Sequence, residues 1–527
     1  MTTDSELPER IARAKHVEIL THWRGADRRA KEQRMSDTNV ADEQPALIVL
    51  RADDRPLNWG SEREMNGIET LMWRAEADPR LRSTICALEE LDVAPDWDRF
   101  LAAHEWATRF VPRFRQRVVE PMLGVGVPAW VVDPDFDLHY HVRRVRLPDG
   151  ATFTDMLATA EQFAMTPFDR ARSLWEAVLF EGLPDGRAGY LLKMHHATTD
   201  GLGSVQLLSQ VHSNTREPNP GKPQPFPAEP EDTSAADVMT GQLIRNAERL
   251  PRDATDVAAA GVRALVNPLR AGGDAKRYAE SLWRVLGDRG AKGSPLLAAR
   301  SLSWRWMAFD VPFADLRAAA KAADGSLNDA FLSALLGGFR RYHIEMDSPI
   351  ERMPIAIPVS VRREGDSAGG NRFAGVRLAG PVGIADPARR IQAIKNLVGD
   401  ARAEPALDAL GLLAPGLARM PAPLISQLTG ALTKSTDLQA SNVPGLRGDG
   451  FLAGAKIERA YGFGPLPGCA TMVTLVSHGE TCCIAVNLDA AAVTEPDRFG
   501  RCLTEGFAEV LALSGSDNGT NPPIRRV

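Results

Sequence analysis

The chain has 527 residues and a formal net charge of -6. A chain of this length exceeds one ordinary hydrophobic core, so it predicts two domains of roughly 200 residues each. Hydrophobic residues make up 44% of the chain and charged residues 25%, which is the composition of a soluble globular protein. Proteins that bind nucleic acids usually carry a basic excess, so the acidic balance predicts that nucleic acid is not a partner.

Composition and periodicity divide the chain into five segments. We predict a polar extension over residues 1–44, a first domain over 45–212, a linker with bridging helices over 213–300, a second domain over 301–513 and a flexible tail over 514–527. The linker assignment depends on its content of Pro, Asn, Glu and Lys, which favours an extended and solvated chain.

Apolar periodicity predicts the main elements. In chain order they are a helix over Phe100–Arg117, strands over Leu138–Leu147, Leu174–Phe180 and Tyr190–Met194, a helix over Ser204–Val211 and a buried strand over Thr481–Val486.

The cysteines and the N-terminus indicate the compartment. The five cysteines form no Cys-x-x-Cys pair and are odd in number, which favours buried, reduced thiols over disulfides. Met1–Arg34 is charged and lacks the apolar centre of a signal peptide. No apolar run approaches the ~18 residues that a membrane span needs. The predicted localisation is therefore cytoplasmic, with peripheral contact at the inner face of the membrane or at lipid droplets left open.

The strand predicted over Tyr190–Met194 runs directly into two adjacent histidines, His195 and His196. A strand that ends in a loop projects its last side chains into a cleft, where catalytic groups are common. An imidazole can take a proton from a hydroxyl near neutral pH and return it to a leaving group. Asp200 and Gly201 follow, and the aspartate is placed either to orient the histidine or to hold the loop through an arginine.

The residues alone leave three interpretations of this pair open. The histidines can have a packed or surface role, they can bind a metal together with Asp200, or one can act as a general base. No third or fourth ligand stands at a suggestive spacing and no His-Glu-x-x-His pattern is present, so no metal is predicted.

The sequence lacks complete motifs for dinucleotide binding, calcium binding or a serine hydrolase. Gly124–Ala129 is similar to a dinucleotide-binding loop, but Pro128 interrupts the helix that should follow it. Asp133–Asp137 is similar to the start of a calcium loop, but Leu138 occupies the position that requires glycine. The chain has no Gly-x-Ser-x-Gly elbow, which disfavours a serine hydrolase.

A family resemblance favours the general base. His195-His196-x-x-x-Asp200-Gly201 matches the signature of acyl-CoA-dependent acyltransferases and peptide condensation domains. Further blocks resemble those of the wax ester synthase/diacylglycerol acyltransferase family and stand in the family's order over about residues 45–515. They are Ser173–Glu176 with Glu181–Gly186, Leu327–Ala330, Pro358–Arg362 with Gly369–Arg372, and Ser441–Gly445. The departures from the family pattern are Ser173, Thr198, Thr199 and His478.

The resemblance implies an α/β (α+β) protein of two chloramphenicol acetyltransferase-like domains, joined by a helical linker, with an active-site tunnel between them. It implies an acyl-CoA-dependent O-acyltransferase that esterifies diacylglycerol, long-chain fatty alcohol or both. Acyl-CoA is then a co-substrate and no cofactor is expected. Two alternatives are acyl transfer to another small or polyketide-like alcohol and a noncatalytic module that binds acyl chains. Oligomeric state is left undetermined.

The resemblance also implies roles for individual residues. His196 is the expected general base, His195 a supporting residue, Asp200 a structural or orienting residue and Gly201 part of the same turn. Asn328 and Asn442 are candidates for oxyanion donors or substrate positioning, although both can be turn residues. The expected ion-pair partner of Asp200 is Arg362, or else Arg113, Arg115 or Arg117. The substrate-pocket candidates are Trp175, Thr198, Thr199 and Ser441.

Leu407–Leu432 is largely apolar and interrupted by prolines. It is expected either to lie at a lipid interface or to form a buried helix pair that covers the tunnel.

Overall fold

The fold is that of a computed structural model. The described residues are 62–124, 126–247, 291–360, 371, 373–402, 409–445, 448–515 and 524–526. The extension predicted over 1–44 lies outside them.

The strands and helices are numbered in chain order. The strands are β1 (Thr84–Leu91), β2 (Gln116–Val119), β3 (Ala129–Val132), β4 (Val142–Arg146), β5 (Trp175–Glu181), β6 (Ala188–His195), β7 (Trp304–Pro312), β8 (Met353–Ser360), β9 (Phe373–Gly380), β10 (Leu438–Pro444), β11 (Phe451–Leu452), β12 (Ala455–Phe463), β13 (Thr471–His478), β14 (Thr481–Asp489) and β15 (Arg525–Arg526). The helices are α1 (Gly67–Ala75), α2 (Trp97–Phe110), α3 (Leu138–His141), α4 (Phe153–Met165), α5 (Gly201–Val211), α6 (Phe313–Ala322), α7 (Leu327–Glu345), α8 (Pro387–Arg402), α9 (Ala409–Leu417), α10 (Ala422–Thr433) and α11 (Pro496–Leu511).

Two mixed sheets organise the described residues. The first has the order β11-β12-β1-β6-β5-β4, and the second the order β15-β7-β14-β13-β10-β8-β9. Strand β6 lies between β1 and β5 and is antiparallel to both. All of its residues are buried, as an apolar central strand requires. His195 is therefore the last residue of a central strand of the first sheet, and His196 follows it directly.

The two sheets are joined by an exchange of strands. β11 and β12 follow β10 of the second sheet in the chain but belong to the first sheet, where β12 pairs with β1 and β11 pairs with β12. Across the junction, the rings of Trp306 and Phe463 stack with centroids 3.8 Å apart. The Tyr461 hydroxyl donates to Asp310 Oδ1 at 2.7 Å. Sequence ranges therefore do not separate the two sheets, and the predicted domain boundaries stay a prediction.

Several element predictions are confirmed. The strands expected within Leu174–Phe180 and Tyr190–Met194 are β5 and β6, the helix over Ser204–Val211 is α5, and the strand over Thr481–Val486 is β14. The five cysteines are all buried and unpaired, and burial raises the pKa of each thiol to about 12. They are therefore protonated and unreactive at neutral pH.

Two element predictions are wrong in part. The helix expected over Phe100–Arg117 ends at Phe110, because Val111 takes an extended conformation before Pro112. The strand expected over Leu138–Leu147 begins with a helical turn, α3, since the Asp137 side chain accepts from the His139 N–H at 3.0 Å and starts a helix there.

The predicted linker and tail lie only partly within the described residues. Residues 235–247 are helical, and the remainder of the predicted bridging helices lies outside the described residues. In the segment predicted as a flexible tail, Arg525–Arg526 forms β15 on the edge of β7.

Candidate active site

The histidine turn, which begins at His195 at the end of β6 and leads through His196 into α5, is built around an aspartate cap. Asp200 is the N-cap of α5, and its Oδ1 accepts from the Gly203 N–H at 2.8 Å. A Cβ atom at Gly203 would lie 2.1 Å from Thr199 Oγ1, so any other residue there would force the Thr199 side chain to move. A Cβ atom at Gly201 would approach Val443 Cγ2 of β10 to 3.2 Å. The start of α5 thus meets the second sheet at this turn.

His196 is partly exposed and contacts a residue that the sequence alone did not single out, Asn371. The Asn371 Nδ2 group donates to the His196 carbonyl oxygen at 2.8 Å, which fixes the orientation of the amide. Asn371 Oδ1 then lies 2.9 Å from His196 Nδ1. Because an amide oxygen only accepts, Nδ1 must carry the proton, and Nε2 carries the lone pair. This tautomer suits a base that acts through Nε2.

The protonation state of His196 fits the same chemistry. Burial lowers the pKa of His196 from its ordinary value of 6.5, while the Asp200 charge and the hydrogen bond to Asn371 oppose that shift. Burial outweighs the opposing effects, so the imidazole is neutral at pH 7 and can accept a proton.

His195 is completely buried and makes contacts of a different kind. Its Nδ1 accepts from the Ala197 N–H at 3.0 Å, and its Nε2 lies 3.0 Å from Glu76 Oε1. Both ring nitrogens are therefore engaged with the protein. This position agrees with a residue that supports the turn.

The other expected contacts of Asp200 are only partly described. Arg362 lies outside the described residues. Arg113 donates to Gln116 Oε1 and to the Glu62 carbonyl, and its guanidinium lies over the Trp130 ring. Arg115 pairs with Glu105. An ion pair between Asp200 and an arginine stays a prediction. The contact of Asp200 that the structure shows is its cap on α5.

The predicted pocket residues fall in three environments. Thr198 and Thr199 are buried within the histidine turn. Ser441 is partly buried on β10, the strand that approaches Gly201 through Val443. Trp175, by contrast, is enclosed in the core of the first sheet, where its Nε1 donates to the Phe114 carbonyl at 2.8 Å.

The two asparagines proposed as donors lie on the second sheet's side of the molecule. Asn442 is exposed on β10, next to Val443. Asn328 is half-buried in the first turn of α7, inside the capping box that Ser326 and Asp329 form. Their roles as oxyanion donors stay a prediction.

His478, which departs from the family pattern, has a structural role. His478 Nε2 lies 3.0 Å from the Ile457 carbonyl and so links β13 to β12. It is part of the contact between the two sheets.

The site therefore joins a histidine turn of one sheet to an asparagine that lies two residues before β9 of the other. Two mixed sheets with a His-His-x-x-x-Asp-Gly turn at their meeting point are the arrangement that the resemblance to proteins of the chloramphenicol acetyltransferase type implies. Comparisons with known proteins narrow this class. The wax ester synthase/diacylglycerol acyltransferase catalytic domain matches residues 62–331, and the C-terminal domain of the same family matches residues 369–510. The chain belongs to this family and is an acyltransferase.

A curated relative agrees with that assignment, and two solved structures share the fold. The chain is 47% identical over 456 residues to a Mycobacterium tuberculosis protein named "Putative diacyglycerol O-acyltransferase", covering 86% of this chain and 92% of the relative. Its fold is similar to the wax ester synthase/diacylglycerol acyltransferase from Marinobacter aquaeolei VT8, with a TM-score of 0.57, 19% identity, and 86% and 100% of the two chains covered. It is also similar to the first condensation domain of the CDA synthetase, with a TM-score of 0.53, 16% identity, and 89% and 99% covered.

None of the helices in the described ranges combines the length and the apolar character that crossing a membrane requires.

Proposed function

We propose that this acyltransferase esterifies diacylglycerol with acyl-CoA to make triacylglycerol, with His196 as the general base. The observation that carries the proposal is the contact between His196 Nδ1 and Asn371 Oδ1 at 2.9 Å, which leaves the lone pair on Nε2. The name of the mycobacterial relative supports diacylglycerol as the acceptor. Long-chain fatty alcohol is the competing acceptor, because the matched family covers both.

In the proposed reaction, His196 Nε2 removes the proton of the acceptor hydroxyl. The oxygen attacks the thioester carbonyl, and a tetrahedral oxyanion forms. It collapses to the ester as the carbon–sulfur bond breaks, and the imidazolium returns its proton to the CoA thiolate. General-base help of this kind contributes about 10²–10⁴-fold. Asn328 and Asn442 are our candidates for donors to the oxyanion, which can add a similar factor.

No cofactor is needed for this step, because the thioester supplies an activated acyl group. His195 and Asp200 serve in this scheme by holding the turn: one engages Glu76 and the other caps α5. Neither group is required to exchange a proton with the substrate.

Acyl transfer to diacylglycerol requires access to a lipid surface. We propose that the protein is cytoplasmic and contacts the membrane or a lipid droplet through α9 and α10. Leu413, Leu424 and Leu428 on these helices are 46%, 46% and 37% exposed. Aspartate at Leu413 and Leu424 should weaken cosedimentation with phosphatidylglycerol vesicles that contain dioleoylglycerol, and unchanged cosedimentation would contradict this surface.

The acceptor can be tested by giving the purified protein palmitoyl-CoA with either dioleoylglycerol or hexadecanol. We expect triacylglycerol by mass spectrometry and an equal amount of released CoA. His196→Ala should lose both products, whereas His139→Ala, at an exposed histidine, is the matched control. Wax ester without triacylglycerol would overturn the proposed acceptor. No ester from any alcohol would overturn the proposed reaction.

A further inference from the structure

Helix α1 turns one side toward the two histidines. Residues three or four positions apart on a helix lie on the same side, and in this helix and its C-cap they are Glu69, Trp73 and Glu76. The Trp73 ring meets the His195 ring edge-on, with centroids 5.7 Å apart. The two glutamates flank this contact, and each reaches a different part of the site.

Glu76 joins the beginning of β1 to the end of β6. Its Oε1 accepts from the Ser83 N–H at 2.7 Å and from His195 Nε2–H at 3.0 Å. The Ser83 carbonyl in turn accepts from the His196 N–H at 2.6 Å. The Glu76 carboxylate therefore contacts the His195 ring directly and is linked to the backbone of His196 through Ser83.

The ionisation of Glu76 suits this contact. Burial would raise the pKa of Glu76, but attraction to His195 and hydrogen bonds from His195 and Ser83 outweigh it, so the pKa lies below its ordinary value. The group is a carboxylate at neutral pH and accepts from both donors.

Glu69 reaches the partner of His196. Its Oε1 lies 3.3 Å from the Asn371 backbone nitrogen. The same carboxylate forms the capping box of α1 with Asn66, which fixes its position. A helix cap accounts for the contacts with Asn66, but it does not account for the contact with a residue 302 positions away in sequence.

Helix α1 has anchors that do not involve these two glutamates. Glu120 accepts from Trp73 Nε1 at 2.7 Å and pairs with Arg74 at 2.7 Å. Arg74 also donates to the Ala418 carbonyl, which follows α9, at 2.6 Å. Removing one of the two glutamates should therefore leave α1 attached.

We propose that Glu69 and Glu76 are positioning residues for acyl transfer. Glu76 fixes His195 and the backbone of His196, and Glu69 fixes Asn371, which selects the His196 tautomer. Neither carboxylate touches the substrate. The inference rests on the proposed function of His196, so its test combines a kinetic measurement with one that does not depend on turnover.

The kinetic test compares Glu76→Ala, Glu76→Gln and, as a matched control, Glu120→Gln. Glutamine keeps an oxygen that can accept from Ser83 and His195, whereas alanine removes it. Because a misplacement of about 1 Å can cost ~10²-fold in rate, we expect Glu76→Ala to lower kcat by roughly 10- to 100-fold with little change in KM. Glu76→Gln should restore most of the rate, and Glu120→Gln should keep the wild-type kcat. A folded Glu76→Ala protein with the wild-type kcat would overturn the role of Glu76.

The second test follows the ring nitrogens of His196 by ¹⁵N NMR of histidine-labelled protein, assigned by difference from His196→Ala. The wild-type protein and Glu120→Gln should show the tautomer with the proton on Nδ1. Glu69→Ala should show a mixture of tautomers, and an unchanged spectrum in a folded Glu69→Ala protein would overturn the role of Glu69. If the wild-type protein makes no ester, the proposed function fails while this spectrum still decides the positioning role.

Discussion

Two regions of the molecule hold a histidine whose Nδ1 faces an acceptor oxygen, yet only one of them is suited to catalysis. In the turn after β6, His196 Nδ1 faces Asn371 Oδ1 at 2.9 Å. In α7, His343 Nδ1 donates to the Phe339 carbonyl at 2.8 Å, and its Nε2 accepts from the Ser294 hydroxyl at 2.8 Å. Both rings therefore carry their lone pair on Nε2.

The difference lies in what surrounds each ring. His343 is completely buried and Ser294 is 2% exposed, so this serine–histidine pair cannot meet a substrate. His196 is partly exposed and lies where the turn after β6 meets Asn371, two residues before β9 of the second sheet. The tautomer and the hydrogen bond at Nδ1 are therefore not enough for a histidine to act as a general base. The two histidines differ in whether a substrate can reach the ring.

The largest effect that this comparison predicts is that of His196→Ala on turnover. Loss of the general base should lower kcat by about 10²–10⁴-fold. The melting temperature should change little, because the Asp200 cap and the hydrogen bond from the His196 N–H to the Ser83 carbonyl stay in place. The measurement is the initial rate of CoA release together with a thermal melt followed by circular dichroism. If His196→Ala retained most of its acyl-transfer activity, His196 would not be the general base, and its exposure would not distinguish it from His343 in function.

Changes at Asn371 should have the next largest effect. Asn371→Ala removes the acceptor that holds the proton on His196 Nδ1, so only part of the enzyme keeps its lone pair on Nε2 and kcat should fall. Asn371→Asp places a negative charge beside the ring, which favours the imidazolium and raises the pKa of His196. Its rate should therefore begin to fall at a higher pH than that of the wild-type enzyme. Identical pH profiles for the wild type and Asn371→Asp would contradict the contact.

Asp200→Ala should affect both stability and rate. The variant loses the N-cap of α5, which typically costs about 1 kcal/mol in the free energy of unfolding. Urea denaturation measures that loss, and the rate should fall because the histidine turn is less well held. Full stability with a wild-type rate would show that Asp200 has neither role.

The smallest effect on turnover is expected for Ser294→Ala. The substitution leaves His343 Nε2 buried without its hydroxyl partner, which should cost about 1–3 kcal/mol in the free energy of unfolding. At a temperature where the variant is folded, kcat should equal that of the wild type. A strong loss of kcat would mean that the buried pair contributes to catalysis after all.

The part of the site that the sequence predicts is local in the chain. His195, His196, Asp200 and Gly201 lie within one turn, so a strand followed by a polar signature could be recognised without the structure. The family-like block that contains Asn371 was also visible, but its contact with His196 spans 175 positions, and no spacing rule reaches that far.

The features that the sequence did not predict are also contacts between distant parts of the chain. The contact of Glu76 with His195 spans 119 positions, and the pairing of β12 with β1 brings together distant parts of the chain. Periodicity predicts individual strands but not which strands become neighbours. The error at the end of α2 was local, because Pro112 marks it in the sequence.

The central claim is that His196 is the base, and the pH dependence of kcat/KM tests it most directly. This ratio reports the ionisation of essential groups in the free enzyme. Since burial places the pKa of His196 below 6.5, the wild-type enzyme should keep a constant kcat/KM above that pH and lose it progressively below. The residual activity of His196→Ala should lack this decline. The same decline in wild type and variant would contradict the account, because some other group would then be the base.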